Sequence, residues 1–317
     1  ATFIDEINAA GKPVYISHNF SDGMFISNAN IDFFAGLSVP KKLDLNQGVH
    51  ASAEAGGVLG ATNYVWTNVY RWFDHHLRGI QNGIMTEPPV TMEKKFASGR
   101  DSFESWPSSR VKNKAYYLHP RKSALDYDGE IRDSAYYKST LSNPAGKISN
   151  TITHLSSLPD TIATTGIPEI SQLLESFLDL PVKVLIDYIS PAKAIVFKTD
   201  RFDGGLSIRG VAKLHLNVAF SAGKGMICAY LYDVSDCGVG TLLAHGAYSA
   251  YDKTAGQAVS IDLEMAATAY DLPAGHRLAV AIDTADPLYG EPVKGSYNVE
   301  FWFTNTLQSR FEIQCVE

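Results

Sequence analysis

The spacing of apolar residues along the chain changes near residue 90. Before that point, a short apolar run, Val14-Tyr15-Ile16, is followed by helical patterns over Ile31–Leu37 and Tyr64–Ile80. Strands that alternate with helices are typical of a parallel α/β sheet, because each parallel connection must cross back to the starting end of the sheet. The pattern therefore predicts an α/β unit over residues 1–90.

After Pro88-Pro89 the chain changes to short segments with the period of two that strands require. Turn residues separate these segments, and strands at such spacing predict an antiparallel β-sandwich of the jelly-roll type over residues 91–317. The predicted strands are Lys114–Leu118, Leu206–Phe220, Met226–Tyr232, Thr241–Ala250, Ala258–Met265, His276–Ile282 and Tyr297–Phe303. Residues 143–191 interrupt the pattern with a predicted helix, Ile167–Leu180, which we interpret as an insertion between strands.

Composition narrows the function classes. The 317 residues are 45% hydrophobic and 19% charged, as in ordinary globular proteins. The formal net charge is −7 and the basic residues are scattered, so we expect no nucleic-acid partner. The sequence has no run of eighteen apolar residues, and we expect no membrane partner. Three cysteines predict neither a disulfide framework nor a zinc site, although pairing of Cys228 with Cys237 across a hairpin stays open.

An acid and a base each follow a predicted strand in the first fifty residues. The strand Lys12–Ser17 runs into a polar turn that contains Asp22, and the strand Lys41–Asp44 runs into a turn that contains His50. Sites in open α/β sheets form at this end of the strands. A hydrolytic triad needs a histidine to take the proton of the nucleophile and a carboxylate to orient that histidine. Asp22 and His50 are the candidate catalytic residues, although either residue alone would suit a structural turn.

The nucleophile of such a triad is not evident. The sequence contains no G-x-S-x-G motif, and its nearest match is Asn19-Phe20-Ser21-Asp22-Gly23. A nucleophilic serine on a strained turn needs small neighbours, so Phe20 and Asp22 make Ser21 a poor candidate. We expect Asp22, rather than Ser21, to be the functional residue of this turn.

These residues carry a family resemblance. The segments KPVYISHNFSDGMF, PKKLDLNQGVH and VYRWFDHHLRGIQNGIMTEPPV resemble the end of the hydrolase domain in the X-Pro dipeptidyl-peptidase and cocaine esterase family of serine hydrolases, which is also called CocE/NonD-like. Later segments, LLAHGAYSA and LPAGHRL, resemble the C-terminal sandwich of that family. The resemblance implies the C-terminal end of an α/β-hydrolase domain followed by a jelly-roll, galactose-binding-like β-sandwich.

The resemblance also implies roles and a partner. Asp22 would be the triad acid and His50 the base, with no metal and no cofactor, while the serine and the oxyanion hole would lie upstream. We therefore expect a fragment that needs the N-terminal half of the hydrolase domain, from the same polypeptide or a second chain, and a parent enzyme that cleaves small esters or X-Pro peptides. The alternative is a non-catalytic β-sandwich module that binds carbohydrate or protein.

Overall fold

The computed structural model describes residues 3–58, 60–121, 128–135, 148–155, 163–290, 293–304 and 307–317. The helices are α1 (Ile4–Ala10), α2 (Ser27–Gly36), α3 (Ser52–Val58), α4 (Tyr64–Arg78) and α5 (Ile170–Leu178). The strands of the first sheet are β1 (Val14–Asn19), β2 (Lys41–Asn46), β3 (Val90–Glu93) and β4 (Arg100–Phe103). None of the helices in these ranges is long and apolar enough to cross a membrane.

The first sheet has the order β1-β2-β3-β4, with the first three strands parallel and β4 antiparallel to β3. Helices α2 and α4 lie on opposite faces of this sheet. Ile16 packs on the cluster that contains Phe34 of α2, whereas the ring of Tyr15 lies 5.9 Å from that of Trp72 in α4. Adjacent strand residues point to opposite faces, so the sheet is covered on both sides.

Helix α4 has both of its ends defined by local sequence. The Asn63 side chain accepts a hydrogen bond from the Trp66 N–H and so caps the N-terminus. Gly79 adopts the left-handed conformation at the C-terminus, with φ at +71° and its N–H bonded to the His75 carbonyl. The predicted helix Tyr64–Ile80 is thus found as Tyr64–Arg78.

The remaining strands form a second, predominantly antiparallel sheet that wraps around one large apolar core, as expected for a C-terminal β-sandwich. All seven predicted strands are present, with ends that differ by a few residues. The strands are β5 (Val111–His119), β6 (Asp128–Arg132), β7 (Ile148–His154), β8 (Lys183–Leu185), β9 (Ile195–Lys198), β10 (Leu206–Phe220), β11 (Gly225–Val234), β12 (Val239–Ala250), β13 (Ala258–Glu264), β14 (Thr268–Leu272), β15 (Arg277–Asp283), β16 (Tyr297–Phe303) and β17 (Arg310–Val316).

The possible disulfide between Cys228 and Cys237 is not formed. Both cysteines are free, Cys228 being buried in β11 and Cys237 exposed in the turn between β11 and β12. The cross-strand partner of Cys228 is Ala247, because β11 continues to Val234 and Cys237 lies within the turn that follows it. The two sulfur atoms therefore cannot face each other across the hairpin.

The two sheets share buried contacts. The apolar cluster of the first sheet includes Val211 and Ala269 from the second. The Arg209 side chain is only 2% exposed, donates to Asp101 of β4 at 2.7 Å and donates to Asp271 of β14 at 2.6 Å. The first sheet thus extends to residue 103 and is fixed to the sandwich, while a division of the chain at residue 90 stays a prediction.

Candidate active site

The turn after β1 is anchored by its own apolar residue. Phe20 is 2% exposed within the core of the first sheet, and its N–H donates to the Asn46 carbonyl at 2.9 Å. The next N–H, that of Ser21, donates to the Gly48 carbonyl at 3.0 Å. These bonds continue the parallel pairing of β1 with β2 beyond the strands themselves. The two polar turns therefore meet at one edge of the sheet.

The structure brings the predicted acid and base together. Asp22 Oδ2 lies 2.9 Å from His50 Nδ1. The other oxygen of Asp22, Oδ1, accepts the N–H groups of Met24 at 2.9 Å and Phe25 at 3.0 Å. With Oδ1 engaged by the turn, Oδ2 is directed at the imidazole ring. This arrangement favours the tautomer with the proton on Nδ1, which is the geometry of an acid that orients a base.

Burial and hydrogen bonding oppose each other at Asp22, whose side chain is 4% exposed. Burial alone would raise the pKa of Asp22, but the hydrogen bonds from His50, Phe25 and Met24 lower it overall. Asp22 is therefore ionised at neutral pH.

The second nitrogen of His50 faces away from the acid. The side chain of His50 is 53% exposed, and no described residue forms a hydrogen bond with Nε2. The ring packs on Phe25, with centroids 5.4 Å apart. Residues from both turns and from α3 line an open cleft of about 370 Å³ at this point. Nε2 of His50 is thus available to a group that enters the cleft.

Polar neighbours that the sequence analysis did not single out hold the cleft in place. His18 bonds the Phe25 carbonyl through Nε2 at 2.7 Å and Asn30 through Nδ1 at 3.1 Å. Asn19 donates to the Val49 carbonyl at 2.8 Å and to Glu54 of α3 at 3.0 Å. His18 and Asn19 end strand β1 and lead into the polar turn that the sequence marked, whereas no local signal pointed to Glu54.

Ser21 does not lie in hydrogen-bonding position to His50. Its hydroxyl donates to Glu175 of α5 at 3.0 Å, on the side of the turn that faces the sandwich. A second cavity, of about 70 Å³, lies there and is lined by Ser21, Lys95, His245 and Tyr289, among others. Burial, followed by the charge of Lys95, lowers the pKa of His245 to about 4, so this histidine is neutral at pH 7.

A second Asp–His contact occurs in the sandwich. Asp233 Oδ1 lies 2.7 Å from His276 Nδ1, and Asp233 Oδ2 accepts the hydroxyl of Tyr270 at 2.7 Å. His276 belongs to the segment LPAGHRL, whose turn it ties to β11. An Asp–His hydrogen bond alone therefore does not define a catalytic pair; Asp22 and His50 differ from this pair in lying at a cleft beyond parallel strands.

Comparison with known families gives a match over most of the chain. Residues 82–308 match the family described as the X-Pro dipeptidyl-peptidase C-terminal non-catalytic domain. The chain belongs to this family. This match confirms the resemblance inferred from sequence. Solved CocE/NonD family hydrolases share the fold. The matched segment does not include Asp22 or His50, which precede it.

The relatives are longer than this chain. A Bacillus anthracis protein provisionally named an Xaa-Pro dipeptidyl-peptidase is 26% identical over 241 residues, which cover 70% of this chain and 38% of that protein. An aminopeptidase from a marine sediment Thaumarchaeota archaeon has 13% identity and a TM-score of 0.71, over 96% of this chain and 55% of its own. A CocE/NonD family hydrolase from Staphylococcus aureus has 11% identity and a TM-score of 0.70, over 99% of this chain and 55% of its own.

These two structural matches show a shared fold. The chain spans less than two fifths of the curated relative and just over half of each solved structure. In each case a large part of the relative has no counterpart among the residues of this chain.

Proposed function

We propose that this chain contributes the acid and the base of a serine hydrolase whose nucleophile lies in a polypeptide segment outside it. The observation that carries this proposal is the 2.9 Å contact between Asp22 Oδ2 and His50 Nδ1 at the edge of a parallel sheet, with His50 facing an open cleft. The absence of a G-x-S-x-G motif in the sequence supports an external nucleophile.

In the proposed reaction, the hydroxyl of the external serine attacks the carbonyl carbon of an ester or peptide bond. Nε2 of His50 accepts the hydroxyl proton as the new C–O bond forms, and then donates it to the leaving alcohol or amine. Water repeats these steps to release the acyl group. Asp22 remains ionised throughout, orients the ring through Nδ1 and stabilises the imidazolium charge.

We also propose a division of the chain into two domains. Residues 1–90 would be the C-terminal end of an α/β-hydrolase domain, which the parallel pairing of β1, β2 and β3 with helices on both faces supports. Residues 91–317 would be a jelly-roll, galactose-binding-like sandwich with an insertion near 143–191. The hydrogen bonds of the first sheet continue through β4, so the sheet boundary lies beyond the proposed sequence boundary.

The proposed partner is the N-terminal half of the hydrolase domain. Among the described strands β1 pairs with β2 only, which leaves the other edge of β1 unpaired. Helix α4 exposes an apolar stripe at helical spacing, with Tyr70 at 66%, Phe73 at 52% and Leu77 at 76% exposure. An unpaired strand edge and a helix face with exposed apolar side chains are what an additional strand and its helix would cover.

The proposed substrates are small esters or X-Pro peptides. Support comes from the curated relative named as an Xaa-Pro dipeptidyl-peptidase and from the membership of solved neighbours in the CocE/NonD hydrolases. The cleft beside His50 is open on one side, so residues of the partner segment would complete the pocket that selects the acyl group.

The test uses the longer protein that joins this chain to the proposed upstream half. Hydrolysis of p-nitrophenyl esters and X-Pro p-nitroanilides is measured for wild type, His50→Gln and His276→Gln. The last variant is a matched control, since it alters the second Asp–His pair and leaves the cleft intact. We expect His50→Gln to lower kcat at least about 1,000-fold and His276→Gln to leave it nearly unchanged.

Two results would contradict the proposal. One is hydrolysis that persists in His50→Gln. The other is that the longer protein hydrolyses none of these substrates while this chain binds a saccharide or a protein in a screen, as expected for a non-catalytic β-sandwich module.

A further inference from the structure

Helix α5, which belongs to the insertion between strands of the sandwich, contacts both turns of the candidate site through consecutive residues. Glu175 Oε1 accepts the hydroxyl of Ser21, the neighbour of Asp22, at 3.0 Å. Ser176 Oγ accepts the N–H of Val49, the neighbour of His50, at 3.0 Å. One helix therefore fixes the residue beside the acid and the residue beside the base.

The helix is itself held by buried polar contacts. Lys95 Nζ lies 2.7 Å from Glu175 Oε1, and the two side chains are only 6% and 10% exposed. Lys95 also donates to the Leu243 carbonyl of β12 at 3.2 Å. At the other end, the Gln172 amide donates to the Thr165 carbonyl at 3.3 Å. Glu175 is thus fixed between the sandwich and the acid turn.

We propose that α5 is a positioning element for the Asp22–His50 pair, acting through Glu175 on the acid turn and Ser176 on the base turn. This inference rests on the proposed function, because positioning has a catalytic meaning only if the pair is catalytic. It gives the insertion in the sandwich a role in the site although no residue of α5 contacts the proposed reacting atoms.

The physical reason lies in the exposure of His50. Its side chain is 53% exposed and is held by one hydrogen bond to Asp22 and one ring contact with Phe25. The separation of the two turns therefore decides whether that hydrogen bond persists. Catalytic groups lose efficiency when they are displaced by about 1 Å. Fixing both turns to one rigid helix limits such displacement.

Two substitutions each remove one bond between α5 and a turn of the candidate site, and they leave no buried charge unpaired. Ser21→Ala deletes the bond to Glu175, whose ion pair with Lys95 remains. Ser176→Ala deletes the acceptor of the Val49 N–H, and Ser176→Thr restores a hydroxyl. Ser176→Ala also removes the bond from the Ser176 hydroxyl to the Gln172 carbonyl within the helix.

The matched control is Ser171→Ala, on the same helix, because the Ser171 hydroxyl accepts the Ile167 N–H of the segment that leads into α5.

The first measurement is the NMR resonance of the His50 Nδ1 proton in the chain itself. A proton held by Asp22 is shifted far downfield and exchanges slowly with water. We expect its exchange rate to rise about tenfold in each of Ser21→Ala and Ser176→Ala and about a hundredfold in the double variant, since one hydrogen bond of typical net strength corresponds to about a factor of ten. Ser171→Ala and Ser176→Thr should match the wild type.

The second measurement is kinetic, in the longer protein. Ser21→Ala and Ser176→Ala should each lower kcat about tenfold and leave KM within about threefold, because the substrate contacts are unchanged. If the double variant matches Ser171→Ala in proton exchange, the positioning role is refuted. If the proton signature responds as expected but the wild-type longer protein hydrolyses nothing, the proposed function fails while the structural action of α5 on the pair stands.

Discussion

Replacing Asp22 by asparagine should reverse the hydrogen bond to His50 and leave the turn intact. Two backbone N–H groups, those of Met24 and Phe25, bond Oδ1 at 2.9 and 3.0 Å. An asparagine must place its carbonyl oxygen there, because its NH₂ group cannot accept. The NH₂ group then occupies the position of Oδ2, 2.9 Å from His50 Nδ1. Nδ1 becomes the acceptor, and the imidazole proton moves to Nε2.

A histidine with its proton on Nε2 cannot take the proton of a serine. Exchanging the carboxylate of a hydrolytic triad for an amide lowers kcat by about 10⁴, which corresponds to about 5.5 kcal/mol in the activation barrier. We expect a loss of this size for Asp22→Asn in the longer protein. The turn should persist in the variant, because these two hydrogen bonds remain, but the variant should be less stable than wild type at neutral pH, because it lacks the ionised, hydrogen-bonded carboxylate.

The assay combines steady-state hydrolysis of an ester with ¹⁵N chemical shifts of His50. The kinetic loss should accompany a change of tautomer from Nδ1–H to Nε2–H. Asp233→Asn, in the second Asp–His pair, serves as the control and should leave kcat within about threefold of wild type. An Asp22→Asn variant that keeps kcat within tenfold of wild type, with its His50 tautomer reversed, would show that hydrolysis does not depend on the proton at Nδ1.

Three further predictions concern stability. Burial alone would raise the pKa of Asp22, but its hydrogen bonds lower the pKa overall. The ionised carboxylate therefore stabilises the folded chain above the unfolded pKa of about 3.9, and this stabilisation is lost as pH falls through the lowered pKa. Urea titrations from pH 7 to 3 should show wild type losing its stability advantage over Asp22→Asn only below about pH 4. Gly48→Ala should destabilise the chain by more than about 1 kcal/mol in urea unfolding, because φ is +126° and the new Cβ would lie 2.0 Å from Ser52 Oγ; an unchanged midpoint would contradict this. Arg209→Met should lower the free energy of unfolding by about 1–3 kcal/mol in the same assay, because the buried guanidinium donates to Asp101 and three other acceptors. A variant as stable as wild type would show that these hydrogen bonds make no net contribution to stability.

The pairing of Asp22 with His50 could be predicted because it follows from local order. Each residue comes after a strand of a parallel sheet, and the carboxyl ends of neighbouring parallel strands lie side by side. The strong alternation in β10 and β16 likewise marked the sandwich, since apolar residues at every second position require a strand with one face in a core. Both inferences use signals that span fewer than fifty residues.

The contacts of α5 could not be predicted in this way. Glu175 lies 154 residues from Ser21 in the sequence, and no periodicity relates them. Helix α5 itself carries the helical signal, but its exposed apolar residues gave no indication of the surface on which it packs. Short strands were missed for a different reason: β8 has three residues, too few for a period of two to be visible.

Strand β17 is not among the predicted strands, although its sequence alternates. Phe311, Ile313 and Cys315 alternate with polar residues and are all buried against the core. The segment pairs with both β5 and β10 and so joins these two strands in the second sheet.

The most direct test of the account is covalent labelling with a fluorophosphonate, which reacts with activated serines, followed by mass mapping of the labelled peptide. This chain alone, the longer protein and its His50→Ala variant are compared. We expect no label on this chain, a label on a serine outside residues 1–317 in the longer protein, and a labelling rate at least about 1,000-fold lower in His50→Ala. Labelling of Ser21 in this chain alone, or labelling of the longer protein that does not depend on His50, would contradict it.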